Sequence, residues 1–283
     1  MPSPRFRSLP RAALAVWATL GLALALGTGT PAHAQVLTLK TISVCDDVNE
    51  WPPFTYLAPG AAEKAQRTGS GPQDVQGFSV EVLRSILAPK GIALRIELLP
   101  WVRCLRELDS GTQYQMALNA SANAERQKRF YLSDTVHATT PGYFYSRRRY
   151  PDGVPVSSAQ DLASFRVCGV HGYNYSAYGL RDDQVDRGAL NFGRVIAKLL
   201  ADRCELGVGE LEVVKASEHL GQPIAQDPDI AYARVPGMPK VEFHMLVSRQ
   251  HPQGQALLQV LNSGLKDLRD RGQLQAIHRR YTQ

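Results

Sequence analysis

Between Leu37 and Leu118 the apolar pattern changes period several times, and glycine or proline stands near each change. Leu37 to Val44 alternates apolar residues with Thr, Lys and Ser, the two-residue period of a strand ending at Cys45. Gly77-Phe78-Ser79 opens a helical run with Val80, Leu83, Ile86 and Leu87 on one face, and Pro89-Lys90-Gly91 stops it. Ile92 to Leu99 alternates again. Pro100 suits the first turn of a helix that carries Leu105 and Leu108 and ends at Gly111. Met116-Ala117-Leu118 is a third short strand. Strand, helix, strand, helix, strand with right-handed crossovers gives a parallel sheet with covering helices.

The composition breaks after Tyr143-Phe144-Tyr145-Ser146, an apolar-aromatic strand. Arg147-Arg148-Arg149 follows, a solvated edge, then Pro151, Gly153 and Pro155. Beyond the break the same logic recurs. Ser157 or Ser158 caps a short helix with Asp161 in its first turn. Arg166 to Val170 is a strand and His171 to Tyr175 the loop at its end. Asn191 caps a helix bearing Val195, Ile196, Leu199 and Leu200, and Cys204 to Val208 is the next strand. Val241 to Val247 reads as a return crossing. The last helices carry Leu257, Leu261, Leu265 and Leu268 on one face, and Gly272 separates them from the run Leu274 to Tyr281. The expected organisation is two α/β lobes, each a mostly parallel sheet with flanking helices. Residues 35–146 and 247–283 form lobe 1, and 147–246 form lobe 2.

The first residues carry an export pattern. Arg5, Arg7 and Arg11 precede an apolar run from Ala12 to about Leu26, and Pro31-Ala32-His33-Ala34 supplies a small-x-small cleavage site before Gln35. The apolar run is shorter than the ~18–20 residues of a spanning helix. Residues 1–34 are therefore expected to be a cleaved signal and the mature chain to be periplasmic. Three of the 32 Lys and Arg residues and none of the 26 Asp and Glu lie in that segment, which leaves a net charge of +3. Basic residues do not cluster with aromatics, so nucleic acid is not an expected partner. Cys45, Cys104, Cys168 and Cys204 are an even set in an exported chain, which reads as two disulfides. Three pairings are possible, with free buried thiols as the rival. Pairing within each lobe gives Cys45–Cys104 and Cys168–Cys204. No Cys-x-x-Cys occurs and the histidines do not cluster at ligand spacing, so neither a metal nor a cofactor is expected.

The strand starting at Met116 ends in Asn119 and Ser121, small polar groups at a strand exit. Arg126 then falls in the first turn of a helix and offers a planar fork of donors that matches a carboxylate. Trp51 sits in Asp46-Asp47-Val48-Asn49-Glu50-Trp51-Pro52-Pro53-Phe54, a loop whose prolines are expected to hold it extended at a strand's carboxyl end, where ligands bind in open α/β sheets. Asp46, Asp47 and Glu50 are either solvated or a hint of a cationic ligand. Residues 58–75 are a surface excursion. Glu210 lies just past the strand Cys204–Val208, a carboxylate at a strand exit suited to an ammonium group.

With these segments placed, the chain resembles the bacterial extracellular solute-binding proteins of family 3, the periplasmic receptors of polar amino-acid uptake. The resemblance rests on Trp51-Pro52-Pro53-Phe54, Gly77-Phe78-Ser79-Val80-Glu81, Asn123-Ala124-Glu125-Arg126 and Phe130-Tyr131-Leu132-Ser133-Asp134. It continues through Gly169-Val170-His171-Gly172, Arg203-Cys204-Glu205 with Glu210 beyond, and the C-terminal helix pair. It implies a two-lobe periplasmic-binding-protein fold with two crossing hinge strands. It also implies that Arg126 grips an α-carboxylate, Glu210 takes the α-ammonium, Trp51 stacks on the ligand and Trp101 lines the side-chain pocket. Where the family usually offers a threonine, this chain has Tyr173-Asn174. The usual Thr-Pro-Glu-Arg turn reads Asn123-Ala124-Glu125-Arg126.

The function expected is capture of an amino acid or related zwitterion by lobe closure and delivery to an ABC permease in the inner membrane, by a monomer and without catalysis. One alternative is a periplasmic enzyme of the same fold, resembling dehydratases that act on prephenate-like acids, with His171, Glu210 and tyrosines as acid and base. Another is a ligand-sensing module for a membrane receptor.

Overall fold

A computed structural model describes residues 36–61, 74–219 and 227–282. The expected export signal and the middle of the expected excursion at 58–75 lie outside the described residues.

In chain order the strands of the first half are β1 (Thr41–Asp47), β2 (Tyr56–Leu57), β3 (Val75–Gln76), β4 (Ala93–Leu99), β5 (Met116–Ser121), β6 (Phe130–Leu132) and β7 (His137–Thr139). Helices α1 (Phe78–Leu87), α2 (Trp101–Ser110) and α3 (Ala124–Arg129) lie between them. The second half holds β8 (Pro141–Ser146), β9 (Val167–Val170), β10 (Val185–Ala189), α4 (Phe192–Leu200), β11 (Leu206–Glu210), α5 (Leu211–His219) and β12 (Ile230–Arg234). Strand β13 (Val241–Ser248) and helices α6 (Gly254–Asp270) and α7 (Gln273–Thr282) close the chain.

Two sheets organise these elements. The first runs β4-β1-β5-β13-β6, with β7 also paired to β13, and the second runs β10-β9-β11-β8-β12. In both, a strand is flanked by two parallel neighbours, and a strand from the far side of a crossing joins antiparallel to the third. The chain therefore passes between sheets twice, from β7 to β8 and from β12 to β13. Both passages precede the expected boundaries at Ser146 and Val247: β8 pairs in the second sheet and β13 in the first.

The apolar faces read from the sequence are buried. Val80, Leu83, Ile86 and Leu87 of α1 meet Leu257, Leu261, Leu265 and Leu268 of α6 in one core. Burial of a side chain of this size stabilises by about 1.5–3 kcal/mol. The C-terminal helices thus complete the lobe that begins with β1. In the second lobe Asp161 accepts the backbone N–H groups of Ser157 and Ser158 at 2.7 and 2.8 Å, which starts the expected short helix as a 3-10 turn. Both within-lobe disulfides are present, Cys45–Cys104 and Cys168–Cys204, with Cα separations of 5.6 and 5.9 Å.

One local expectation is corrected. The loop after β1 is not extended: Trp51 and Thr55 exchange backbone hydrogen bonds of 2.6 and 3.0 Å around a cis Pro52–Pro53 peptide. The resulting tight turn places Trp51 and Phe54 indoors.

Candidate functional site

The carboxyl ends of β1, β5, β9 and β11 converge on a cavity of about 50 Å³. Every site residue expected from the sequence, Trp51, Trp101, Asn119, Ser121, Arg126, Tyr173, Asn174 and Glu210, lines it. Arg126 is the central cation. Asn123 caps α3 by accepting the Arg126 backbone N–H at 2.7 Å, which fixes where the side chain leaves the helix. Arg126 Nη1 donates to the Ser121 carbonyl at 2.8 Å and to Ser121 Oγ at 3.3 Å. Its guanidinium lies over the Trp101 ring, 5.5 Å from the centroid. The Cys45–Cys104 disulfide ties α2, and so Trp101, to the end of β1. Only 6% of Arg126 is exposed, and it makes no ion pair among the described residues. Burial pulls its pKa down to about 10. A buried charge without a counterion costs several kcal/mol, a cost that an anion placed against it would offset.

Glu210 faces the same cavity from the second lobe. Its carboxylate accepts from Thr139 Oγ1 at 2.6 Å and from the Tyr178 hydroxyl at 3.2 Å. It is 8% exposed and has no cation beside it among the described residues, and burial raises it to about 7. The two hydrogen bonds leave further lone pairs on each oxygen for an ammonium.

Asn119 is turned into the protein. Its Nδ2 donates to Asp46 at 2.8 Å and to Thr55 at 2.7 Å, and its Oδ1 accepts from Ser79 at 2.6 Å. Strand β5 reaches this position with a φ of 53°, a conformation that asparagine tolerates better than most residues. Asn119 thereby holds Asp46 rather than offering a free amide.

Cavity residues beyond the expected set are Asp46, Asp47, Tyr175, Phe192, Gly209 and Phe243. The two aspartates end β1 and are buried, not solvated. Burial raises Asp46 to about 7 and raises Asp47 as well. Their signal was the strand end itself. Glu50 points away, accepting the Leu57 backbone N–H at 2.8 Å. Trp51 packs on Phe243 with centroids 4.6 Å apart, and its indole N–H is buried without a partner among the described residues. His171 is exposed and lies outside the cavity lining.

A sequence model for the bacterial extracellular solute-binding proteins, family 3, matches residues 47–283. The chain belongs to this family. Its fold is that of the family 3 neighbours. A histidine kinase sensor domain similar to periplasmic binding proteins superposes with a TM-score of 0.66 at 18% identity, covering 86% of this chain and 96% of that one. The substrate-binding protein of an amino acid ABC transporter gives 0.63 at 18% identity, covering 85% and 98%. An ancestral amino-acid-binding protein, a precursor of cyclohexadienyl dehydratase, gives 0.62 at 12% identity, covering 86% and 96%. No curated protein matches the chain. This solute-binding protein has no helix among its described residues long and apolar enough to cross a membrane.

Proposed function

We propose that the protein captures an amino acid by clamping its carboxylate on Arg126 and its ammonium on Glu210. The observation that carries this is the pair of buried, oppositely charged groups, each without a described counterion, on opposite lobes of one cavity. Neither lobe alone satisfies both ends of a zwitterion, so the ligand favours the closed state by its differential contacts. Micromolar affinity corresponds to about −8 kcal/mol, within reach of two charge-assisted pairs against Trp51 and Trp101. Charge balance selects the ligand further. Asp46, Asp47 and Glu210 face a single guanidinium, so a neutral zwitterion leaves the closed cleft negative. A cationic side chain offsets part of that charge.

In this reading residues 1–34 direct export to the periplasm, and the loaded monomer passes its ligand to an ABC permease. The test is thermal unfolding against arginine, lysine, ornithine, histidine, neutral amino acids and small dicarboxylates. A melting temperature that climbs with the concentration of a basic amino acid supports the reading. Silence from all amino acids sinks it.

One observation favours an enzyme as the second reading. Burial pushes Glu210 up to about 7 beside Tyr178, which suits proton transfer at neutral pH. Incubation with prephenate-like acids separates the two, because a receptor returns its ligand unchanged.

A further inference from the structure

Three consecutive residues, Glu210, Leu211 and Glu212, grip two consecutive residues where the chain first leaves one sheet for the other, Thr139 and Thr140. Thr139 Oγ1 donates to Glu210 Oε2 at 2.6 Å. The Leu211 backbone N–H donates to the Thr140 carbonyl at 3.0 Å. Glu212 accepts the Thr140 backbone N–H at 2.7 Å and its hydroxyl at 2.8 Å. The other oxygen of Glu210 accepts from the Tyr178 hydroxyl, and the backbone N–H of Gly142 on β8 faces that hydroxyl. Strand β7 ends at Thr139, which stands opposite Val241, the first residue of β13. Glu210 is thus tied to the place where one passage between the sheets begins and the other ends.

We propose that Thr139 is the positioning residue of Glu210: its hydroxyl fixes the carboxylate at the cavity and favours its ionised form. This rests on the reading of Glu210 as the ammonium partner and deepens it by naming what aims the group. A glutamate side chain has three rotatable bonds, so strand β11 alone does not fix where its carboxylate lies. One donor on each oxygen does. A hydrogen bond to the charged form favours that form. Thr139 is fully buried, so no water takes the place of its hydroxyl. The titratable groups that face Glu210 are Glu212 of α5 and Tyr175 and Tyr178 of the second lobe, with Arg126 on the opposite lobe of the same cavity. Burial and Glu212 both oppose the charge on Glu210, and the Thr139 and Tyr178 bonds support it.

The experiment follows the Glu210 carboxyl carbon by NMR through a pH titration of the protein without ligand, the signal being assigned by its loss in Glu210→Gln. Thr139→Val keeps the shape and removes the donor. It is expected to raise the Glu210 midpoint by about one pH unit and to leave that of Asp46 unmoved. Thr139→Ser is expected to restore the wild-type midpoint. A folded valine variant with the wild-type midpoint overturns the proposal, as does a serine variant that titrates like the valine one. If the valine variant does not fold, the wild-type protein decides: the Thr139 methyl signal must move with the Glu210 midpoint, and one that stays still overturns the proposal. Arginine added at pH ~7 separates this from the amino-acid reading. Where the wild type binds arginine, the valine variant is expected to bind it about fivefold more weakly, and equal binding overturns the proposal. Wild-type protein that binds no amino acid sinks the amino-acid reading alone, and the carboxyl titration still decides the role of Thr139.

Discussion

Arg126 shows what one residue is made to tolerate. Its guanidinium is buried over Trp101 with a backbone carbonyl, a serine hydroxyl and no described carboxylate. Replacing a buried unpaired charge with an apolar side chain relieves desolvation. Arg126→Met is therefore expected to keep or raise the melting temperature of the ligand-free protein while costing about 2–5 kcal/mol of ligand binding, checked by calorimetric titration beside thermal unfolding. The acids give opposite signs for stability and affinity. Burial holds Asp46 and Glu210 at about 7, whereas an unfolded carboxyl titrates near ~4. Between those values the folded protein holds protons that the unfolded chain releases, so its stability is lost as pH rises through about 7. His137, buried beneath Phe54, is pushed down, so the folded protein refuses a proton that the unfolded chain accepts below about 6.5. Scanning the ligand-free protein from pH ~8 down to pH ~4 is thus expected to raise the melting temperature, because the protons that Asp46 and Glu210 take up on folding outweigh the one that His137 refuses below about 6.5. Affinity for a cationic amino acid is expected to fall over the first part of that scan, as Glu210 and Asp46 lose their charge. At this scale the residues at strand exits were legible, because a strand's end and a helix's start fix where Arg126 and Glu210 point. Asp46 and Asp47 were legible only as acids. Their burial comes from Asn119, Thr55 and Tyr173, the last reaching across from the other lobe, and no local pattern records that.

Elements place these residues, and two of them carry predictions. Gly77 precedes α1 with a φ of 125°, and a Cβ there would collide with the Phe54 carbonyl oxygen. That carbonyl accepts the Ser79 N–H at 3.0 Å, so it cannot move aside without releasing the helix start. Gly77→Ala is expected to cost about 3 kcal/mol, read from the urea midpoint. The Cys45–Cys104 disulfide spans 59 residues and sets α2 against β1. The double variant Cys45→Ala, Cys104→Ala is expected to lose roughly 4 kcal/mol of stability and to weaken ligand binding as well, since Trp101 opens α2. Most elements were legible, because α1 and α6 repeat leucine and isoleucine at helical spacing and β1 alternates. Strand β10 was not. Its sequence Val185-Asp186-Arg187-Gly188-Ala189 is charged in the middle and contains a glycine, as suits the outer strand of a sheet. Its connection from β9 runs through 3-10 turns at Ser176–Tyr178 and Asp182–Gln184, so no helical period announces it. The tight turn at Trp51–Thr55 was hidden because proline restricts φ without saying whether its peptide is cis or trans.

Over the whole molecule, the two sheets share one plan, and each borrows a strand from beyond a crossing. The sequence alone carried this plan as a repeated strand–helix–strand order. The exact crossings were less legible, since the composition breaks after β8, at the arginines, whereas the hydrogen bonds of β8 already belong to the second sheet. The borrowed strand β13 has a consequence in time. It is the last strand to be made, yet it lies inside the first sheet, between β5 and β6. A nascent chain therefore carries a second sheet with all its strands while the first still has a vacant slot. Until Val241–Ser248 emerges, β5 and β6 present bare edges of the kind that pair with other chains. Chaperone demand should accordingly peak late in synthesis, and a chain stalled just short of Val241 would be its most aggregation-prone form.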